Sequence, residues 1–194
     1  MTLADLDLDK FYTYADYLKW TFAERVELIK GKIFKMSPAP STRHQVLTGE
    51  LYRLISNFLY KQTCQVFIAP FDVRLIRKSK EDKEIITVVQ PDLCVVCDSL
   101  KIEPRGCLGA PDIVVEVLSP GNNITELKNK FDIYEESGVL EYWIVSPQDN
   151  TFIINRLTNG YYITSRPMVA GDTVTTPILP GFSIDLEEFF DRGM

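Results

Sequence analysis

Asp92, Glu116 and a lysine downstream of them are the residues whose types and spacing could do chemistry in this chain. Asp92 opens the apolar run PDLCVVCD (91–98), and Glu116 interrupts a second one, DIVVEVLS (112–119). A carboxylate inside a buried strand is costly to desolvate unless something pairs with it. By strand alternation Asp112, Val114, Glu116 and Leu118 share a face. If Glu116 faced open water, Val114 and Leu118 would too, so a semi-buried carboxylate is expected. The next segment, NITELKNKFDIYEES, carries an apolar stripe at Ile124, Leu127, Phe131 and Tyr134. Lys128 and Lys130 flank that stripe on opposite sides, each ~80° from its centre, so periodicity leaves open which one leans back over Glu116. Two acids with a lysine form a coherent chemical set. Carboxylates hold Mg²⁺ or Mn²⁺, the ion acidifies a water and neutralises charge on a phosphate, and the lysine steadies the nucleophile or the oxyanion.

Other chemistries are excluded by what the chain lacks. It has one histidine, His44, which removes HExxH hydrolases and His-rich zinc sites from consideration. A Ser-His-Asp triad would have to use His44, and no GxSxG turn accompanies it. The pair Cys94-Val-Val-Cys97 resembles half a zinc site, but residues three apart on a strand point to opposite faces. Packing cysteines are therefore expected there. Four cysteines in 194 residues do not make a disulfide scaffold, and a reducing cytoplasm is the expected setting. The net charge of −6 argues against broad, nonspecific attachment to nucleic acid, though not against a local basic groove. No apolar run approaches a membrane span, and the N-terminus is acidic where a signal peptide is basic.

The elements that must position these residues are legible in outline. TYADYLKW (13–20) reads as a short helix, and RVELIKGKIFKMS (25–37) as a hairpin turning at Lys30-Gly31. SPAPS is a proline-rich break. From Ser41 to Gln62, Val46, Leu47, Leu51, Leu54, Ile55, Phe58 and Leu59 recur at helical spacing. Strands are expected at 64–70, 72–77, 85–89 and 91–98, then a loop through EPRGCLGAP, then the strand 112–119. A helix capped at Asn123 or Thr125 and ended by Gly138 leads to the strand LEYWIVS (140–146). The unit 112–146 is expected to be a parallel crossover. TFIINRL and GYYITSR pair across a turn at Thr158-Asn159, TVTTPILPGFSI ends the sheet, and DLEEFF forms a terminal helix. The order implies an α/β sandwich with a mixed sheet, in one domain over 1–194.

Taken together, YTYADYL, RVELIKGKIFKMSPAPSTRHQ, APFDVRL, VQPDLCVV, GAPDIVVEVLSP, the K-x-x-x-Y helix and SGVLEYWIVSP resemble the Uma family of restriction-endonuclease-like proteins. The resemblance covers nearly the whole chain. It implies an α/β restriction-endonuclease-like core, in which a mixed β-sheet is flanked by the long N-terminal helix and a crossover helix. The associated PD-(D/E)XK motif implies Asp92 and Glu116 as catalytic acids and metal ligands. The E-x-K pattern would place a lysine at position 118, where this chain has Leu118. The K-x-x-x-Y register then implies Lys130 as the migrated lysine. Glu27, His44 and Glu50 are expected to line the same cleft, with Asp112 as an auxiliary acid. The implied activity is an Mg²⁺- or Mn²⁺-dependent DNA endonuclease, acting as a homodimer. The alternative is a catalytically inactive nuclease-fold module that binds nucleic acid or a protein partner.

Overall fold

The computed structural model describes residues 2–36, 41–77, 79–120 and 124–192. Helix α1 (Tyr14–Tyr17) leads to the hairpin of β1 (Val26–Ile29) and β2 (Lys32–Lys35). Lys30 and Gly31 both have positive φ (50° and 78°), which lets a two-residue turn follow the twist of its strands. Helix α2 (Thr42–Leu59) is capped by the Ser41 hydroxyl, which accepts from the His44 amide. Then come β3 (Gln65–Ile68), β4 (Val73–Arg74), β5 (Val88–Val89), β6 (Leu93–Val96), β7 (Ile102–Glu103), β8 (Gly106–Leu108) and β9 (Ile113–Val117). Helix α3 (Ile124–Ser137) connects β9 to β10 (Glu141–Ser146). The chain closes with β11 (Thr151–Thr158), β12 (Tyr161–Thr164), β13 (Thr173–Thr175), β14 (Ser183–Asp185) and α4 (Leu186–Asp191).

Among the described residues, strands pair as two six-stranded sheets and a separate two-stranded one. The second sheet runs β12-β11-β10-β9-β6-β3. In it β9 and β10 are parallel across α3, with Glu116 opposite Ile144, while β6 pairs antiparallel with β9. Alternation along β6 and β9 sends side chains into two cores. Leu93, Val95, Val115 and Val117 pack with Leu47, Leu51 and Ile55 of α2 and with Phe189 of α4. Cys94, Val96 and Val114 face the other way, toward Ile133 and Tyr134 of α3 and toward Val73 and Val89 of the first sheet. The central sheet is therefore sandwiched, and Glu116 shares the alternation of Val114.

Several local expectations are corrected. The sheet is split: β2-β1-β5-β4-β8-β7 forms its own layer, and β13 and β14 pair with each other instead of ending the main sheet. The loop through EPRGCLGAP contains the small hairpin of β7 and β8, where Gly106 (φ 104°) lies against the Asp72 carbonyl so closely that no Cβ would fit. The turn between β11 and β12 is Asn159-Gly160, since both adopt positive φ (52° and 87°), so Thr158 still belongs to the strand. Thr125 lies within α3 and is not its cap; Asn123 and most of SPAPS fall outside the described residues. Gly138 (φ 83°) does end α3.

Cys97 is not a packing cysteine. It forms a disulfide with Cys64, because the β3–β6 register that sets Gln65 against Val96 brings the next pair of residues together. Cys94 and Cys107 are free and buried.

Candidate active site

The C-terminal end of β9, the start of β6, β1 and the faces of α2 and α3 converge on a cleft of about 170 Å³. Asp92, Glu116, Lys130, Glu27 and His44 all line it. Glu116 is 7% exposed and Lys130 5% exposed, so their interaction takes place out of bulk water. Lys130 Nζ donates to Glu116 Oε1 at 2.9 Å and lies 3.4 Å from Glu27 Oε1. Lys128 is exposed, as its place on the opposite flank of α3 requires. The Tyr134 hydroxyl, one turn beyond Lys130 on the same helix face, donates to the same Glu116 Oε1 at 2.8 Å.

Asp92 is held differently. Its Oδ2 accepts from the Val117 amide at 2.8 Å, which joins the start of β6 to the end of β9. His44 Nε2 lies 3.3 Å from the same oxygen. Thr48, one turn along α2, faces the other ring nitrogen, Nδ1, at 3.4 Å. Glu27 accepts from the Gln90 amide at 2.9 Å, so β1 is tied to the residue two before Asp92.

The electrostatics follow from this crowding. Burial pushes the Glu116 carboxyl up to about 7; Lys130 opposes the rise, while the Asp92 and Glu27 charges add to it. Burial disfavours the charge on Lys130, but Glu116 and Glu27 outweigh it and hold the ammonium above its ordinary pKa. Burial lowers His44, but the Asp92 hydrogen bond and charge, joined by a Val117 backbone contact and the Glu116 charge, together leave it above its ordinary value. Tyr134 is pushed well above the tyrosine range by burial and by the Glu116 charge, so it acts as a donor.

Two expected members of the cleft lie elsewhere. Asp112 is four residues from Glu116, roughly 13 Å along the strand. Its Oδ2 accepts from the Cys97 amide at 2.7 Å, closing the far end of β6. Glu50 sits six residues after His44, about 240° around α2, and binds Arg53 through Nε (2.9 Å) and a terminal nitrogen (2.7 Å). The resemblance suggested Glu50, and the strand face shared with Glu116 suggested Asp112, but helix phase and strand length send them away. Two participants were not anticipated as site residues. Tyr134 had a usable signal, its four-residue spacing from Lys130; Gln90 had none.

Among the described residues, no group of three or more His, Cys, Asp or Glu converges to hold a metal ion. Several carboxylates line this polar cleft, Glu27, Asp92 and Glu116 among them, and oxygen donors of this kind fit Mg²⁺, which needs only one or two carboxylates and keeps its waters.

Comparison with known proteins bears on the family and the fold. Residues 14–187 match the model of the Uma2 family, described as "Putative restriction endonuclease". A curated relative, "Uncharacterized protein slr1290" from Synechocystis, is 27% identical over 134 residues, covering 68% of this chain and 66%, just under two thirds, of its own length. A solved structure of "a putative nuclease belonging to DUF820" from Anabaena variabilis superposes with a TM-score of 0.72 at 21% identity, covering 94% of this chain and 99% of that one. The fold is thus a mixed α/β nuclease-like one. No helix among the described residues is long and apolar enough to cross a membrane.

Proposed function

The chain belongs to the Uma2 family, and on that premise we propose that it is a metal-dependent endonuclease hydrolysing phosphodiester bonds of DNA. The observation that carries this reading is the convergence of Asp92, Glu116 and Lys130 on one cleft, with Lys130 held at 2.9 Å from Glu116 despite the missing lysine at position 118. Asp92 and Glu116 would hold Mg²⁺ or Mn²⁺. When bound, the ion would supply charge neutralisation on the scissile phosphate and an acidified water.

The remaining steps belong to the chain itself. The Val117 amide and His44 fix the Asp92 carboxylate, and Lys130 and Tyr134 fix that of Glu116. Lys130, dry and cationic, is placed to orient the attacking water or to stabilise the developing oxyanion, a role whose strength grows as solvent is excluded. Because one cleft cuts one strand, a homodimer would suit cleavage of a duplex.

Cleavage of a plasmid with Mg²⁺, with Mn²⁺ and with chelator tests this directly. Asp92→Ala and Glu116→Ala should each abolish metal-dependent cleavage in protein that still melts cooperatively; activity surviving both substitutions overturns the assignment. A second reading, an inactive module binding nucleic acid or protein, draws on the ion pair already occupying Glu116 and on the charge of −6. Calorimetric titration separates the two: Mg²⁺ or Mn²⁺ binding lost in Asp92→Ala favours the enzyme, and no binding favours the module.

A further inference from the structure

Beside the cleft lies a second recess, of about 310 Å³, whose floor is aromatic. Tyr17, Trp20 and Phe22 line it together with Pro70, and Trp20 and Phe22 are stacked, with ring centroids 5.7 Å apart and planes 26° from parallel. Trp20 also makes an edge contact with Tyr12, with ring centroids 5.4 Å apart. All three lining rings remain partly exposed. The recess adjoins the cleft, since Arg25 and Gln90 line both.

Gln90 is the shared wall. Its side-chain amide nitrogen donates to Asp72 at 2.8 Å and to the Tyr17 hydroxyl at 3.4 Å, and its carbonyl accepts from Arg25 at 2.8 Å. Its backbone amide holds Glu27. A nucleotide seated against Arg25 would therefore have the carboxylates on one side and the aromatic rings on the other.

We propose that this recess is a stacking subsite for an unpaired nucleobase adjacent to the scissile phosphate, so that the protein acts where nucleotides are unpaired, in a single strand or in an opened segment of a duplex such as a supercoiled plasmid, and not on a fully paired stretch. The inference rests on the nuclease reading and deepens it. Stacked rings bind any base through its π-face, and they can hold a nucleic acid without a broad basic field. That matters in a chain of net charge −6, with Glu24 also lining the recess. Arg25 contributes the local positive charge, stacked against a base or paired with its phosphate. A base held within a duplex presents only its edges, so its face cannot lie against the rings.

The test uses the intact protein's own fluorescence. Of its two tryptophans, Trp143 is fully buried, so a change in emission on adding oligonucleotide reports Trp20. With Ca²⁺ replacing Mg²⁺ to keep the strand whole, a dye-free single-stranded oligothymidylate should quench Trp20 emission. The midpoint should match that from the anisotropy of a labelled copy, and a blunt duplex should leave the emission unchanged. Phe22→Ala should weaken single-strand binding about tenfold or more, and Phe22→Leu, which keeps the apolar bulk, should weaken it comparably. Single-strand binding by anisotropy without quenching, equal quenching by the duplex, or full affinity in Phe22→Leu overturns the subsite and leaves the nuclease reading standing. Failure of every nucleic acid to bind overturns both.

Discussion

Lys130 on α3 and Glu116 on β9, 14 residues apart in sequence, form a buried ion pair at 2.9 Å, with Glu27 of β1 3.4 Å from the same ammonium. One cation thus balances two acids from different strands. The position two residues after Glu116 is Leu118, so the positive charge reaches the cleft from the crossover helix instead of from the strand.

The two lysines of α3 should separate cleanly. Lys130→Ala leaves Glu116 and Glu27 buried without their cation and should cost about 3 kcal/mol or more above neutral pH. The loss should shrink in mild acid, where Glu116 can take up a proton. Lys128→Ala should stay within about 0.5 kcal/mol of wild type. Urea unfolding of both variants checks this, and DNA cleavage should vanish only in Lys130→Ala. Similar stability losses from the two would contradict the buried pair.

Glu116 makes a signed pH prediction for the metal-free protein. Its folded pKa, about 7, lies above its ordinary value of 4.5. The native state therefore binds the proton more tightly than the unfolded chain. Its contribution to stability is complete below about 4.5 and is lost as pH rises through 7, by up to about 3 kcal/mol. Glu116→Gln, in which Glu27 still faces Lys130, should flatten that part of the stability profile and gain on wild type above neutrality. Parallel profiles for the two proteins would refute it.

Asp112 and Asp92 have the same sequence context, Pro-Asp at the mouth of a strand, and should differ in cleavage. Asp112→Asn weakens an acceptor for the Cys97 amide, so it should cost about 1–2 kcal/mol of stability and leave kcat unchanged. Asp92→Asn should lose cleavage at a comparable cost in stability, since Asp92 likewise accepts from a strand amide, that of Val117. Thermal melts paired with cleavage rates distinguish them, and a drop in kcat for Asp112→Asn would return that residue to the cleft.

The Cys64–Cys97 bond closes a 33-residue separation and should add about 3–4 kcal/mol through the unfolded chain. Thiol titration in denaturant should find two free cysteines without reductant and four with it. Four reactive thiols in unreduced protein would mean the bond does not form. Reductant should lower the melting temperature of wild type but not of Cys64→Ser/Cys97→Ser.

Elements with a strong local period were legible in the sequence: α2, the Lys30-Gly31 hairpin, the parallel β9–α3–β10 unit and the helix ending at Gly138. Pairing between distant strands was not. The disulfide depends on a β3–β6 register that no local pattern encodes, and the split into two sheets depends on β4 and β5 being only two residues long. For the cleft, the alternation around Glu116 showed that a charge sat at an expensive position, but its partner required the phase of a separate helix. Glu50 was misplaced for the converse reason, since acidity says nothing about which side of α2 a residue occupies. Gln90 acts largely through backbone and amide contacts, which leave no compositional trace.

The lone histidine has a practical consequence. In a proton NMR spectrum His44 would contribute the only imidazole ring resonances, free of overlap from any sister residue. Because that ring lies 3.3 Å from Asp92, its chemical shift is a built-in meter for the carboxylate: one peak, followed through a titration with acid, divalent ion or oligonucleotide, would report events in the cleft without any label being introduced.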